Sequence, residues 1–158
     1  TSAVKPQWKT GRKRGIFRHG FHGFSRMAAE LLLRDETHRL IGFCMDIHNE
    51  LGRGYHEVVY RDPLVVELGR AEIPFEREKK YEIQYKGVTL AHPYYADFVV
   101  WDKIIFEAKA IEKLASSHVK QVLNYLATAK LRVGLLVNFG TDSLEWKRVI
   151  LKKICANP

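Results

Sequence analysis

The stretch from Tyr94 to Ala110 constrains the fold most, because it places charged side chains inside the most β-prone part of the chain. Two short runs of Val, Ile, Phe, Tyr and Trp flank the polar pair Asp102-Lys103, a pattern that predicts a β-hairpin. Three charged residues that matter lie within the predicted strands: Asp97, Glu107 and Lys109. A charged side chain in such a strand needs a partner or a function.

The length of the hairpin loop decides whether these three charges share one face of the sheet. Side chains alternate along a strand, so Glu107 and Lys109 point the same way. A three-residue loop from Trp101 to Lys103 would put Asp97 directly opposite Glu107, whereas a two-residue loop would put the two acids on opposite faces. A site built on these residues therefore predicts the three-residue loop.

The residue types point to metal-assisted chemistry on a phosphate. Asp97 and Glu107 offer hard oxygen ligands, which Mg²⁺ or Mn²⁺ prefers, and water and substrate phosphate oxygens complete the coordination. Lys109 could orient or deprotonate an attacking water and balance phosphate charge. The alternative is an exposed strand face with a surface ion pair, because an acid followed by E-x-K arises easily when 28% of the residues are charged.

Two predicted helices bring further candidates. His118, Gln121 and Tyr125 share one face of a helix predicted from a serine N-cap at residue 116 or 117 to about residue 129. Gln121 can hold a water or a phosphate oxygen without carrying charge. Glu57 follows a glycine loop at the start of another helix. Their alternative roles are ordinary surface positions and, for Glu57, a favourable interaction with the helix dipole.

The pattern along the chain predicts helix, helix, three strands, helix, two strands. The first helix is predicted to begin at an Asp35 N-cap and to end at Gly52, and Pro63 is expected to bend or restart the second. The other predicted strands are a polar edge strand (Phe75–Tyr85), a short strand (Val88–Leu90), a strand covered on both faces (Val133–Phe139) and an outer strand (Leu144–Ile150).

Charge and cysteine content limit the classes of protein. Residues 1–26 hold seven basic residues and no acid, which leaves 19 basic and 18 acidic residues, a net charge of +1, in residues 27–158. Overall charge of the folded part therefore gives no argument for a nucleic-acid partner. Cys44 and Cys155 suggest neither a disulfide nor a metal cluster, which fits a reducing compartment. No run of about 20 apolar residues and no secretory segment is found, so a cytoplasmic, soluble protein without a membrane partner is expected.

Residues 1–26 form a basic arm that also carries glycines and aromatic residues but has no helical or strand period. Three interpretations stay open. The arm is a disordered tail or a remnant of processing or cloning, a phosphate-contacting arm with stacking aromatics, or an organellar presequence. Residues 27–158 are predicted to form one folded domain.

A family resemblance rests on several motifs in order. Gly54, Glu57 and Tyr60 match the G-x-x-E-x-x-Y signature of the GxxExxY proteins, a family that resembles the PD-(D/E)xK nuclease superfamily and its RecB-like and lambda-exonuclease-like branches. The likeness runs from about Asp35 to Ile150. It includes HNELG, GRGYHE, YKG, ADFVV, the E-x-K strand, HVKQVLNYL and VGLLVNFG.

The resemblance assigns roles by position. Asp97 and Glu107 look like the metal-binding acids, Glu57 like the helix acid that completes the metal site, and Lys109 like the catalytic lysine. The backbone carbonyl of Ala108 would be a further metal ligand. Two other residues match the Q-x-x-x-Y element of the RecB-like branch and would position substrate or water: Gln121 and Tyr125.

The sequence departs from the pattern at two places, and one feature of some relatives is missing. Ala96 stands before Asp97 where the superfamily name has proline, and Pro63 interrupts the helix after Glu57. The four cysteines of cluster-bearing relatives are absent, so no iron-sulfur cluster is expected.

The resemblance implies an α/β fold with a restriction-endonuclease-like core, in which a mixed central sheet is flanked by helices. It implies a nuclease that depends on Mg²⁺ or Mn²⁺ and acts on DNA. The rival hypothesis is a non-catalytic nucleic-acid-binding or assembly protein that retains the fold, and a third is a purely structural domain. A homo-oligomer stays open.

Overall fold

The computed structural model describes residues 27–152. Contacts divide the chain into two units, Thr1–Leu31 and Leu32–Pro158. Within the first unit, residues 27–31 are helical. The second unit holds all the helices and strands named below. The predicted arm, residues 1–26, and Cys155 lie outside the described residues, and the predicted boundary between arm and domain stays a prediction.

Three helices flank a central sheet: α1 (Arg34–Leu51), α2 (Glu57–Arg70) and α3 (Ser116–Ala129). The apolar stripes of α1 and α2 join one face of the sheet in the larger core cluster, and α3 joins the other face in a second cluster. Alternation along a strand separates the two clusters, since Phe106 belongs to the first and Ile105 to the second. The sheet is therefore covered on both sides.

The predicted ends of α1 at Gly52 and of α3 at Ala129 are confirmed, whereas the start of α1 and the effect of Pro63 differ from the predictions. Asp35 lies in the first turn of α1 and is not its N-cap, a position taken by Leu33 with φ of 52° and no side-chain cap. Pro63 neither ends nor restarts α2, which is one continuous helix. Burial of Tyr60, Leu64 and Leu68 on one stripe holds this helix together across the hydrogen bond that proline removes. Helix packing here outweighs the local preference of proline.

The described residues form seven strands: β1 (Phe75–Tyr81), β2 (Gln84–Tyr85), β3 (Val88–Thr89), β4 (Tyr94–Val100), β5 (Ile104–Lys109), β6 (Val133–Asn138) and β7 (Glu145–Ile150). Five of them form the central sheet, in the order β1, β4, β5, β6, β7. The pair β5 and β6 is parallel and the other pairs are antiparallel, so the predicted α/β class with a mixed sheet is confirmed.

The predicted strand from Phe75 to Tyr85 is not continuous. It leaves the sheet after Tyr81, and β2 pairs instead with β3 in a separate two-stranded ribbon. The turn of this ribbon uses Lys86 and Gly87, with φ of 47° and 79°, and a turn of this kind closes two strands locally. The other three strand predictions are confirmed, because β3 forms at Val88–Thr89, β6 is buried along its whole length and β7 is an outer strand.

Within residues 27–152, no helix combines the length and apolar character that crossing a bilayer would need.

Candidate active site

The hairpin of β4 and β5 has the register that the site requires. Its paired residues end with Phe98 opposite Phe106, so Asp97 and Glu107 are the next positions along the two strands. The loop between the strands consists of the three residues Trp101–Lys103. The predicted three-residue loop is confirmed, and it brings the two acids to the same place in the sheet.

The Asp97 carboxylate is held at both oxygens. Oδ2 accepts a hydrogen bond from the backbone N–H of Ala108 at 2.9 Å. Oδ1 accepts one from Nη1 of Arg61 at 2.6 Å, and the two side chains are only 18% and 16% exposed. Arg61 lies on α2, so this ion pair joins the helix to the hairpin. Asp97 is therefore fixed at the point where the pairing of β4 with β5 ends.

Glu107 is buried, and its surroundings disfavour a negative charge. The hydroxyl of Tyr94 donates a hydrogen bond to Oε1. Burial, and then the negative charge of Asp97, raise the pKa of Glu107 from 4.5 to about 7, although the Tyr94 hydrogen bond and the positive charge of Lys109 oppose the rise. The carboxyl group thus exchanges its proton near neutral pH. Burial beside this carboxylate also raises the pKa of Tyr94, which remains a hydrogen-bond donor.

Glu57 is the first residue of α2, and its side chain faces Lys109. The distance between Glu57 Oε1 and Lys109 Nζ is 3.9 Å, and the lysine side chain is 22% exposed. Lys109 ends β5, two residues after Glu107 and on the same face of the strand. The structure therefore brings Glu57, Glu107, Lys109 and Asp97 into one region.

The loop before α2 is fixed by Tyr60. Its buried hydroxyl donates to the carbonyl of Gly52 at 2.6 Å and accepts from the backbone N–H of Tyr55 at 3.3 Å. Gly54 has φ of 114°, a conformation that a side chain would strain. These contacts hold the loop from inside, and they determine where the helix begins and where its first side chain, Glu57, points.

The predicted residues of α3 reach the site unequally. The ring of Tyr125 stacks on Tyr94 with centroids 3.3 Å apart, and its pKa is raised by burial and then by the two carboxylates. Gln121 is exposed one turn earlier and, within the described part of the chain, donates no hydrogen bond to either acid. Nδ1 of His118 instead accepts from the backbone N–H of Ala115 at 2.9 Å, so histidine and not serine caps α3.

Three residues that contact or support the candidate site were not predicted from the sequence: Arg61, Tyr94 and Asn138. Arg61 follows Glu57 by four residues, and this spacing on a helix was a signal that both face the hairpin. Tyr94 begins β4 as one of several aromatic residues, and nothing in the local pattern marks its hydroxyl as a partner of Glu107. Asn138 is a single amide at the end of the fully buried strand β6, a polar exception that could have been noticed.

Asn138 holds the chain that follows Lys109. Its Oδ1 accepts from the backbone N–H groups of Ile111 and Gly140, both at 3.0 Å, and its Nδ2 donates to the Ile111 carbonyl at 2.9 Å. Lys109 lies beside Asn138 in the parallel register of β5 and β6. A Cβ on Gly140 would lie 2.4 Å from the N and O atoms of Ile111, so only glycine allows this close approach.

The donor set fits a small divalent cation at two carboxylates. Among residues 27–152, no group of three or more His, Cys, Asp or Glu side chains is arranged to hold a metal ion. Glu57 pairs with Lys109 and does not join Asp97 and Glu107 in such a group. Asp97 and Glu107 are neighbours in the register of β4 and β5, and after burial the negative charge of Asp97 is the second cause that raises the pKa of Glu107. Mg²⁺ is commonly bound through one or two carboxylates and water.

A mixed sheet covered by helices on both faces, with an acid and an E-x-K sequence on adjacent antiparallel strands, defines the class of the protein. It is an α/β protein with a restriction-endonuclease-like core. The family model of the PD-(D/E)XK nuclease superfamily matches residues 34–149. The chain belongs to this superfamily.

A solved structure titled "Crystal structure of SSO0001" is similar at 21% sequence identity with a TM-score of 0.49, and the match covers 61% of this chain and 50% of that chain. The matched region thus spans about half the length of that protein. Comparison with curated proteins gives no match.

Proposed function

We propose that the chain is a divalent-metal-dependent nuclease that hydrolyses phosphodiester bonds in DNA. The observation that carries the proposal is the register of β4 and β5, which puts Asp97 against Glu107 with Lys109 at the end of the same strand. Membership of the superfamily supports the nuclease class. The metal and the DNA substrate are inferred from the chemistry of the acids and from the resemblance of the motifs.

Asp97 and Glu107 are the proposed metal-binding acids, with Mg²⁺ or Mn²⁺ as the ion. When bound, such an ion supplies positive charge beside the phosphate and makes a nearby water more acidic. The resemblance adds Glu57 and the carbonyl of Ala108 as further ligands. The backbone N–H of Ala108 already binds Asp97, which keeps this peptide beside the carboxylate.

Lys109 is the proposed catalytic lysine. Its ammonium group is partly exposed at the end of β5 and is loosely paired, 3.9 Å from the Glu57 carboxylate. In this position it can orient an attacking water and balance the negative charge that grows on the phosphate. Gln121 and Tyr125 are proposed to position substrate or water. The stacking of Tyr125 on Tyr94 supports a place for it beside Glu107.

Within the superfamily, we place the chain among the GxxExxY proteins of the RecB-like branch. The geometry gives the three signature positions separate physical tasks, which supports this placement. Gly54 takes a left-handed backbone conformation, Tyr60 holds the loop, and Glu57 faces Lys109.

A cleavage assay tests the proposed activity. The protein is incubated with single- and double-stranded DNA and RNA in the presence of Mg²⁺, Mn²⁺ or EDTA. We expect metal-dependent cleavage of DNA that falls by roughly 100-fold or more in Asp97→Asn, Glu107→Gln and Lys109→Met. Glu112→Gln and Lys113→Met, exposed residues just beyond β5, serve as matched controls that retain cleavage.

Activity that survives Glu107→Ala and Lys109→Ala would refute the assignment, because a contaminant or another site would then explain the cleavage. An assay that detects cleavage of RNA alone would keep the nuclease class and refute the proposed substrate.

One observation favours a second candidate function, a nucleic-acid-binding or assembly protein without turnover. Residues 27–158 carry a net charge of only +1, whereas proteins that follow a phosphate backbone usually present a basic groove. This candidate predicts binding that weakens with salt and disappears when residues 1–26 are removed, with no cleavage in Mg²⁺ or Mn²⁺. Metal-dependent cleavage by the shortened chain would exclude it.

A further inference from the structure

Arg61 is a charged residue of the candidate site, but it has no role in the proposed cleavage. It lies on α2, one turn after Glu57, and its Nη1 donates to Asp97 Oδ1 at 2.6 Å. Its Nε is buried and, in the described structure, has no hydrogen-bond partner. The contact with Asp97 is therefore the main interaction of the guanidinium, because its buried Nε makes no hydrogen bond that would also hold it in place.

The two oxygens of Asp97 have partners that differ in charge and in freedom to move. Oδ2 is bound by the backbone N–H of Ala108, which belongs to β5 and cannot move without disturbing the pairing of β5 with β6. Oδ1 is bound by Arg61, whose side chain can change rotamer. A divalent cation at Oδ1 would meet the positive guanidinium at close range, and like charges at that distance repel strongly.

We propose that Arg61 competes with the metal ion for Asp97, and that its guanidinium must leave Oδ1 before a divalent cation can bind there. This inference rests on the proposed function, in which Asp97 and Glu107 bind the metal. In the metal-free protein, Arg61 neutralises a mostly buried carboxylate beside Glu107. Only molecules in which the ion pair between Arg61 and Asp97 is open can bind the metal. The apparent metal affinity is therefore the affinity of the open form multiplied by the fraction of molecules in that form.

Isothermal titration of the full chain with Mn²⁺ tests the competition. The unsubstituted protein is compared with Arg61→Gln, Asp97→Asn and Arg77→Gln. Arg77 is a matched control, because its Nη2 also pairs with an aspartate, Asp62, at 2.7 Å, and its Nε is also buried without a partner. Its aspartate belongs to no proposed metal site.

Arg61→Gln is expected to bind Mn²⁺ about tenfold more tightly than the unsubstituted protein. This factor corresponds to an ion pair that is open in about a tenth of the unsubstituted molecules. Arg77→Gln is expected to bind it as the unsubstituted protein does. Tighter binding cannot come from damage to the fold, since a merely structural arginine would leave the affinity unchanged or lower it. Equal or weaker binding by Arg61→Gln overturns the inference. Undiminished binding by Asp97→Asn overturns the proposed metal site itself.

Chemical modification of the unsubstituted protein gives a second test that needs no variant. Phenylglyoxal modifies exposed guanidinium groups, and mass spectrometry of peptides measures the rate at Arg61 and at Arg77. We expect Mn²⁺ to raise the rate at Arg61 several-fold and to leave the rate at Arg77 unchanged. A rate at Arg61 that Mn²⁺ leaves the same or lowers overturns the proposed displacement.

Discussion

Replacement of Glu107 by glutamine should make the metal-free protein more stable at high pH while it abolishes cleavage. Glu107 is 6% exposed and lies beside Asp97. A buried carboxylate next to another negative charge destabilises the folded state whenever it is ionised. Glutamine keeps the size and the acceptor that Tyr94 binds, but it carries no charge.

The magnitude follows from the pKa of Glu107, which rises from 4.5 to about 7 on folding. The folded state holds the proton more tightly, so stability falls as the pH rises from about 4.5 to about 7 and stays level above that range. The shift corresponds to about 3 kcal/mol at roughly 1.4 kcal/mol per unit. Glutamine cannot accept hydrogen bonds at both positions of the carboxylate, which reduces the expected gain to about 2 kcal/mol.

The assay is urea denaturation in EDTA at pH 5 and pH 8, with Glu112→Gln as the control for an exposed glutamate. The unsubstituted protein should lose stability between the two pH values, and Glu107→Gln should lose much less of it. The reasoning about Glu107 is refuted if the difference in unfolding free energy between variant and unsubstituted protein is the same at both pH values.

Two further predictions follow from single contacts. The hydrogen bond from Tyr94 lowers the pKa of Glu107, so Tyr94→Phe should move the acidic limb of the cleavage rate profile to higher pH, and an unchanged profile would contradict this role. Gly140→Ala should destabilise the fold by about 2 kcal/mol or more, because its Cβ would lie 2.4 Å from backbone atoms of Ile111. Gly42→Ala, exposed inside α1 with nothing within 4 Å, should stabilise it by about 1 kcal/mol. Urea denaturation measures both glycine variants, and equal effects would contradict the steric explanation.

The sequence by itself determined the helices and most of the strands, but it left the hairpin loop open between two and three residues. Hydrophobic periodicity marks the core-facing stripes of α1 and α3, because the apolar residues recur on the face that is buried. The register of β4 and β5 follows from strand alternation and loop length, which are both local properties. Asp97 and Glu107 could therefore be placed together from the sequence only on the condition of a three-residue loop, which the structure supplies.

Two predictions from local signals failed. Pro63 is predicted to bend or restart α2, but three buried residues on one stripe keep the helix continuous. The segment from Phe75 to Tyr85 was expected to be one strand, but its end finds closer partners in the ribbon with β3. In the helix, packing outweighs the local preference of proline. In the ribbon, the turn at Lys86 and Gly87 pairs two neighbouring segments, so one local preference outweighs another.

Only the tertiary structure decided which groups hold the candidate site. The hydroxyl of Tyr94 on Glu107 and the guanidinium of Arg61 on Asp97 depend on side-chain rotamers and on the distance between α2 and the hairpin. The support of Asn138 for the chain after Lys109 depends on the parallel pairing of β5 with β6. Sequence spacing could name the acids and the lysine, because they lie on one hairpin. It could not name their partners, because hydrogen bonds and ion pairs are decided within a few tenths of an ångström between elements distant in the chain.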